Sequence, residues 1–196
     1  MLIYVLGSVN MKKFDLYFWL FISFAMIGWI YEELYYFIFK HEIVNSGTMF
    51  GPWLPIYGFA GIIIYALSKK LKDSPIKMFI VSFILSGVIE YFTSYYLEKV
   101  YNLKWWDYSD FAFNLNGRIC LIGLIVFSFL AFFVMYFVLP LIEKIYNKIN
   151  SNIRKKIIIV LLILFVADFT YCTFSPNTGN AKSTNISLKD NNHVKK

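Results

Sequence analysis

The chain has 196 residues, of which 59% are hydrophobic, 21% aromatic and only 16% charged, with a net charge of +7. A soluble domain carries about a quarter charged residues, so this chain lacks the polar surface to face water on all sides. The basic residues sit almost wholly in short segments between apolar runs, a pattern of membrane-topology determinants that speaks against nucleic acid as a partner.

Residues 1–24 look superficially like a secretory leader, with Lys12 and Lys13 ahead of an apolar run. The run continues through Met26, Trp29 and Tyr35 without a small-x-small cleavage site, so it reads as a retained helix, and Met11 is an alternative start of translation. The expected fold is all-α, a polytopic transmembrane helical bundle with five spans at about 14–39, 52–69, 76–98, 118–142 and 156–175. The expected organisation is a cytoplasmic N-terminal tail at 1–13, the bundle at 14–176, and a disordered polar tail at 177–196 rich in Asn, Ser and Lys.

The second span opens irregularly, with Gly51-Pro52-Trp53-Leu54-Pro55-Ile56-Tyr57-Gly58. Two prolines prevent normal helical hydrogen bonding, and broken backbone at membrane depth is tolerated only against protein or a wet cavity. The segment therefore reads as a structured entrance or short re-entrant piece, the plainer alternative being a loop that runs into a helix N-terminus. Gly51, Pro52, Pro55, Tyr57 and Gly58 are its candidate residues. If the N-terminus is cytoplasmic, eleven Lys and Arg fall on that side near helix ends, against Lys40, Lys99, Lys104 and Arg118 opposite. That imbalance predicts the N-terminus inside and the C-terminus outside.

Single acids interrupt the apolar runs. Residues 16–31 lead into Glu32 and Glu33, 78–89 into Glu90, and 157–167 into Asp168, while 119–142 carry no charge. Inserting each acid costs about 2.5–3.5 kcal/mol, whereas a Leu, Ile or Phe returns only about 0.3–0.6 kcal/mol. Glu90 lies roughly 20 Å from the inner end of its helix, Glu32 at a similar level, and Asp168 nearest the midplane. Arg118 opens the fourth span on the same outer side. Contact between a carboxylate and a guanidinium gains about 4 kcal/mol per pair at an effective dielectric of 20, so pairing is favoured over isolated burial. Three readings stay open: a structural ion pair, a substrate or ion site, and neutral protonated acids.

Gly87, Glu90, Ser94 and Glu98 recur at three- and four-residue intervals and so share one helix face, with Gly87 expected to admit a neighbouring backbone. Tyr91, Tyr95 and Tyr96 read as interfacial anchors. Beyond them come Trp106, Asp107, Tyr108 and Ser109, then Asn114, Asn116, Gly117 and Arg118. This is more polar detail than an aromatic belt requires. The segment is expected to pack with the Gly-Pro entrance as an outward-facing lid over the acids. Cys120 and Cys172 read as small packing residues, although both fall in outward halves of helices where a bond could form. His41 and His193 have no neighbours that would make a metal site.

These segments resemble the bacterial multi-pass family described as putative ABC-transporter type IV. The resemblance runs through Gly28-Trp29 with Glu32, Gly51-Pro52 and Pro55-Ile56-Tyr57-Gly58. It continues through Glu90-Tyr91, Ser94, Glu98, Trp106-Asp107-Tyr108-Ser109, Asn114 and Asn116-Gly117-Arg118-Ile119-Cys120-Leu121, with Asp168 a looser match. The chain departs from the family pattern at Asn45-Ser46-Gly47, where Asn-Arg-Gly is usual; if that arginine helps neutralise the acids, Arg118 must do more here or one acid is protonated. The resemblance implies a permease subunit of an ATP-driven transporter. The chain has no Gly-rich phosphate loop and no cofactor of its own, so ATP would be used by a partner ATPase docking at 69–77 and 143–156. A membrane substrate-capture subunit is the alternative. A membrane-embedded enzyme acting on lipid or envelope precursors is the third reading, weakened by the lack of a His-rich metal motif or an evident nucleophile.

Overall fold

A computed structural model of the chain describes residues 11–71, 73–179 and 181–183. The remainder of the two predicted tails, 1–10 and 184–196, lies outside the described residues. Helix α1 spans Met11–Tyr35 and continues as a π-helical turn, Tyr36–Lys40. Helix α2 is Pro55–Leu71 and α3 is Pro75–Tyr101. Helices α4 (Leu121–Phe133) and α5 (Leu139–Lys148) are joined without a break by a π-helical stretch, Val134–Val138, and α6 spans Ser151–Phe174. Four of these helical units are long and apolar enough to cross a membrane, and α2 is a shorter apolar helix.

Local chemistry explains most boundaries. The π-turn of α1 stops at His41, whose left-handed backbone (φ 54) turns the chain out of the helix. Pro75 opens α3 with its fixed φ, and Asn102 closes it in the left-handed region (φ 56), returning its N–H to the Glu98 carbonyl. Asn150 caps α6, its side-chain oxygen accepting from the Asn152 N–H at 2.9 Å. The π-turn at Val134–Val138 runs straight into Leu139-Pro140. Proline has no N–H and its ring clashes with the carbonyl four residues back, and a wider turn relieves both faults.

Helix α1 organises the bundle. Its Phe18, Ile22 and Ala25 pack with Met49 and Trp53 of the following loop and with Ile158 and Cys172 of α6. Its Leu20 and Phe24 pack with Tyr65 of α2 and with Leu139 and Ile142 of α5. A third cluster joins Ile64 of α2 and Met78 of α3 to Ala131 and Met135. Between α1 and α2 the contact is close because Gly28, Gly58 and Gly61 line it. A Cβ on these would strike the rings of Tyr57, Phe21 and Phe24 respectively.

Two short antiparallel ladders complete the fold. Strand β1 (Leu103–Lys104) pairs with β4 (Lys182–Ser183), and β2 (Asn114–Leu115) pairs with β3 (Ile119–Cys120). The second ladder is a hairpin. Asn116 and Gly117 both have positive φ (55 and 66), and the Arg118 N–H closes on the Leu115 carbonyl at 3.0 Å, the geometry that an Asn-Gly pair favours. Two expectations are corrected here. The fourth span begins at Leu121 rather than at 118, which places Arg118 in a hairpin and not at a helix mouth. The tail expected to be disordered from 177 begins with a buried Asn177 and forms β4.

Candidate functional site

The residues singled out by sequence gather at one end of the bundle, in three connected groups. The first is a pair of carboxylate–tyrosine contacts. Glu32, on α1, accepts a hydrogen bond from the Tyr57 hydroxyl of α2 at 3.0 Å. Glu90, on α3, accepts one from the Tyr108 hydroxyl at 2.9 Å. Glu90 is buried at 6% exposure, and its second oxygen, Oε2, has no hydrogen-bond partner. The two carboxylates lie near enough for their charges to act on one another, as do Tyr57 and Tyr108. Ser46 Oγ, fully buried, lies beside Glu32 outside hydrogen-bonding geometry, while the Ser46 N–H donates to Glu33 at 2.8 Å.

Sequence spacing prepared this layer. Gly87, Glu90 and Ser94 are the buried polar seam of α3, with Ser82 two turns below. At Gly87 the neighbour is not the expected backbone but the Leu124 side chain of α4, 3.3 Å from where a Cβ would sit. Glu98, the upper member of the seam, forms an ion pair and hydrogen bond with Arg118. The guanidinium also lies over the rings of Tyr91 (5.7 Å) and Tyr95 (5.6 Å), which the sequence suggested as lipid-interface anchors. Arg118 thus satisfies Glu98 and the aromatic rings rather than Glu32 or Glu90.

The second group is the hairpin loop. Asp107 accepts from the Ser109 N–H (3.0 Å) and hydroxyl (2.5 Å) and pairs with Lys104 at 3.5 Å. Partial burial alone would push its carboxyl up, but the Ser109 bonds and the Lys104 charge outweigh that and hold it below the usual range. Asn114 bridges the loop, donating to the Ser109 and Phe111 carbonyls and accepting from the Gly117 N–H. Asn116 donates to the Tyr91 hydroxyl at 2.9 Å, and the Trp106 indole donates to the Arg118 carbonyl at 3.0 Å. Burial, followed by the neighbouring Glu90, pushes the Tyr108 hydroxyl well above its ordinary value, so it stays a donor.

The third group holds the Gly-Pro entrance. Asp168, on α6, accepts from the Gly51 N–H (2.8 Å), the Phe50 N–H (3.2 Å) and the Trp53 indole (2.7 Å). It therefore anchors the broken backbone ahead of α2, and Pro55 starts that helix. Sequence reading missed the other anchors. Trp29 donates to Asn45, whose amide donates to the Phe50 carbonyl. Asn177 donates to the carbonyls of Asn45, Gly47 and Met49. The Trp105 indole reaches both Gly47 and Asn177, so the entrance and the hairpin loop are joined through these two residues. Cys120 and Cys172 are free buried thiols. Cys120 caps α4, and Cys172 donates weakly to Asp168 at 3.3 Å.

Among the described residues no group of three or more His, Cys, Asp or Glu could hold a metal ion. A family model described as Putative ABC-transporter type IV matches residues 19–173, which span all three groups. No curated protein and no solved structure matches the chain.

Proposed function

The chain belongs to the Putative ABC-transporter type IV family and is a membrane transporter component; on that premise we propose that it is the permease subunit of an ATP-driven system. Its binding layer is formed by Glu32, Tyr57, Glu90 and Tyr108 beneath the joined loops. The observation that carries this reading is the burial of Glu90 with one unpartnered oxygen, within electrostatic range of Glu32 on another helix. Intramembrane ionisable groups are costly and mark substrate or ion pathways. Asp107, Asn114, Asn116 and Gly117 shape the cover, and the Arg118–Glu98 pair fixes it to α3 above the buried Ser94. Asp168 with Gly51, Pro52, Pro55 and Gly58 fixes the entrance.

The continuous helix Leu121–Lys148 contains 28 residues, about 42 Å at 1.5 Å per residue against roughly 30 Å of hydrocarbon. Its Glu143–Lys148 end therefore projects beyond the bilayer and supports docking of a cytoplasmic ATPase there and at 69–77. The N-terminus and these basic ends are placed inside, with the loops and the C-terminus outside, on the charge imbalance of the sequence. The α2–α3 and α5–α6 connections are only residues 72–74 and 149–150. So short a coupling surface favours, as a second reading, a substrate-capture subunit that shares its energising module. Purification in mild detergent should bring down an ATPase, and vesicles holding both should show ATP-dependent uptake abolished in Glu90→Gln. An unaccompanied protein with no ATP-dependent flux would remove the permease reading.

A further inference from the structure

Resting on the binding layer just described, we propose that it takes a small monovalent organic cation, bound through an ammonium group between Glu32 and Glu90. The ion pairs among the described residues are Lys104–Asp107 and Arg118–Glu98, so neither carboxylate of the layer has an ionic partner there. A buried carboxylate and a half-buried one without a countercharge carry a desolvation cost that a bound cation offsets. The hydrogen-bonding capacity left open on the two acids and two tyrosines is accepting. Glu90 Oε2 is buried and free to accept. The Tyr57 and Tyr108 hydroxyls spend their protons on the carboxylates and keep oxygen lone pairs as acceptors. Ser46 Oγ, from the loop, is fully buried beside Glu32 and adds a hydroxyl that can donate to that carboxylate and accept from a ligand. A layer of acceptors around two negative groups suits a donor-bearing cation and repels an anion.

The same surroundings select the kind of cation. A divalent metal takes about six to eight oxygen ligands, and no metal-holding cluster occurs among the described residues. Aromatic rings flank both tyrosines instead. The Tyr57 ring meets Phe127 at 6.4 Å and the Tyr108 ring meets Phe111 at 5.7 Å. Aromatic faces stabilise alkylammonium groups through their ring quadrupoles, an attraction that grows when the cation is desolvated. Glu32 is only partly buried, which leaves the layer an approach on that side.

The test uses the full chain in lipid nanodiscs with radiolabelled methylammonium as the probe, tetramethylammonium as the donor-free comparison, and sodium and acetate as controls. Saturable binding of methylammonium is expected, weakened at least tenfold in Glu90→Gln and in Glu32→Gln and severalfold in Ser46→Ala, and unchanged in Glu42→Gln, at an exposed position. A wild-type measurement keeps the test independent of variant folding: methylammonium should slow modification of Glu32 and Glu90 by a hydrophobic carbodiimide, read by mass spectrometry. Saturable sodium binding without ammonium binding, full ammonium binding in Glu90→Gln, or no protection from the carbodiimide would each overturn the assignment. Copurification of an ATPase is scored separately, so loss of cation binding with the ATPase still attached removes this inference and leaves the permease reading standing.

Discussion

Single side chains in this protein are held by directed bonds whose loss has a defined sign. Gly117 sits at φ +66, and an added Cβ would run into the Ser109 hydroxyl and the Asp107 carboxylate. Gly117→Ala should therefore cost about 1–3 kcal/mol through left-handed strain and the broken Asp107 turn, measured as a lower thermal midpoint in detergent. Asp107 has a depressed carboxyl. Its contribution is complete above the unfolded value of about 3.9 and is lost as pH falls through the lower folded value. Melting curves taken from pH 6 down to pH 3 should drop less steeply for Asp107→Asn than for the parent chain. At this scale the sequence was informative about which residues matter and silent about their partners. Glu32 and Glu90 stand out in apolar runs, and Arg118 was the obvious cation for them. The choice of Glu98 and two tyrosine rings for Arg118 depends on hairpin geometry. An Asn-Gly pair between short extended segments was the available clue to that geometry.

At the scale of elements, apolar periodicity located the helices, and the buried seam Gly87–Glu90–Ser94 follows directly from its three- and four-residue spacing. The π-turn at Val134–Val138 was not legible, because it answers to Pro140 rather than to any hydrophobic pattern. Glycines separate tight from forgiving contacts. Gly28 faces the Tyr57 ring with no room for a Cβ, whereas Gly87 meets a flexible Leu124 side chain. Gly28→Ala should displace Tyr57 from Glu32 and lower the melting temperature clearly, while Gly87→Ala should change it little. Equal effects would argue against close α1–α2 packing as the organising contact. Asp168 links α6 to the chain ahead of α2 through three N–H donors. Asp168→Asn should release the Phe50 and Gly51 amides, raising their hydrogen-exchange rates at least tenfold, on the order of the 1.5–3 kcal/mol carried by charged hydrogen bonds.

Across the whole molecule, length and apolarity sufficed for a helical membrane bundle, and α2 was recognised as the irregular member. The molecule's polar end could not be assembled from composition. Asn177 lies in a stretch whose Asn, Ser and Lys content reads as unstructured, yet it is buried and donates to three carbonyls of the 41–54 loop. The ends of α1, α3 and α6 and the starts of α2 and α4 meet there, which puts both loops and the C-terminal strand on one side. A cysteine placed at Phe113, which is exposed, and another at Lys70 should label from opposite faces of sealed vesicles. Labelling of both from the same face would refute alternating crossings by five helices.

That stitching by Asn177 also dictates an order of assembly. The loop between α1 and α2 leaves the ribosome more than a hundred residues before the amide that ties it down, so every helix can be inserted while the loop is still unfastened. Nascent chains released just after Phe174 should be fully membrane-integrated yet cut readily by protease within 41–54, and eight or nine further residues should restore resistance. Maturation of the binding end is then set by the stretch around Asn177, translated after all the helices it fastens.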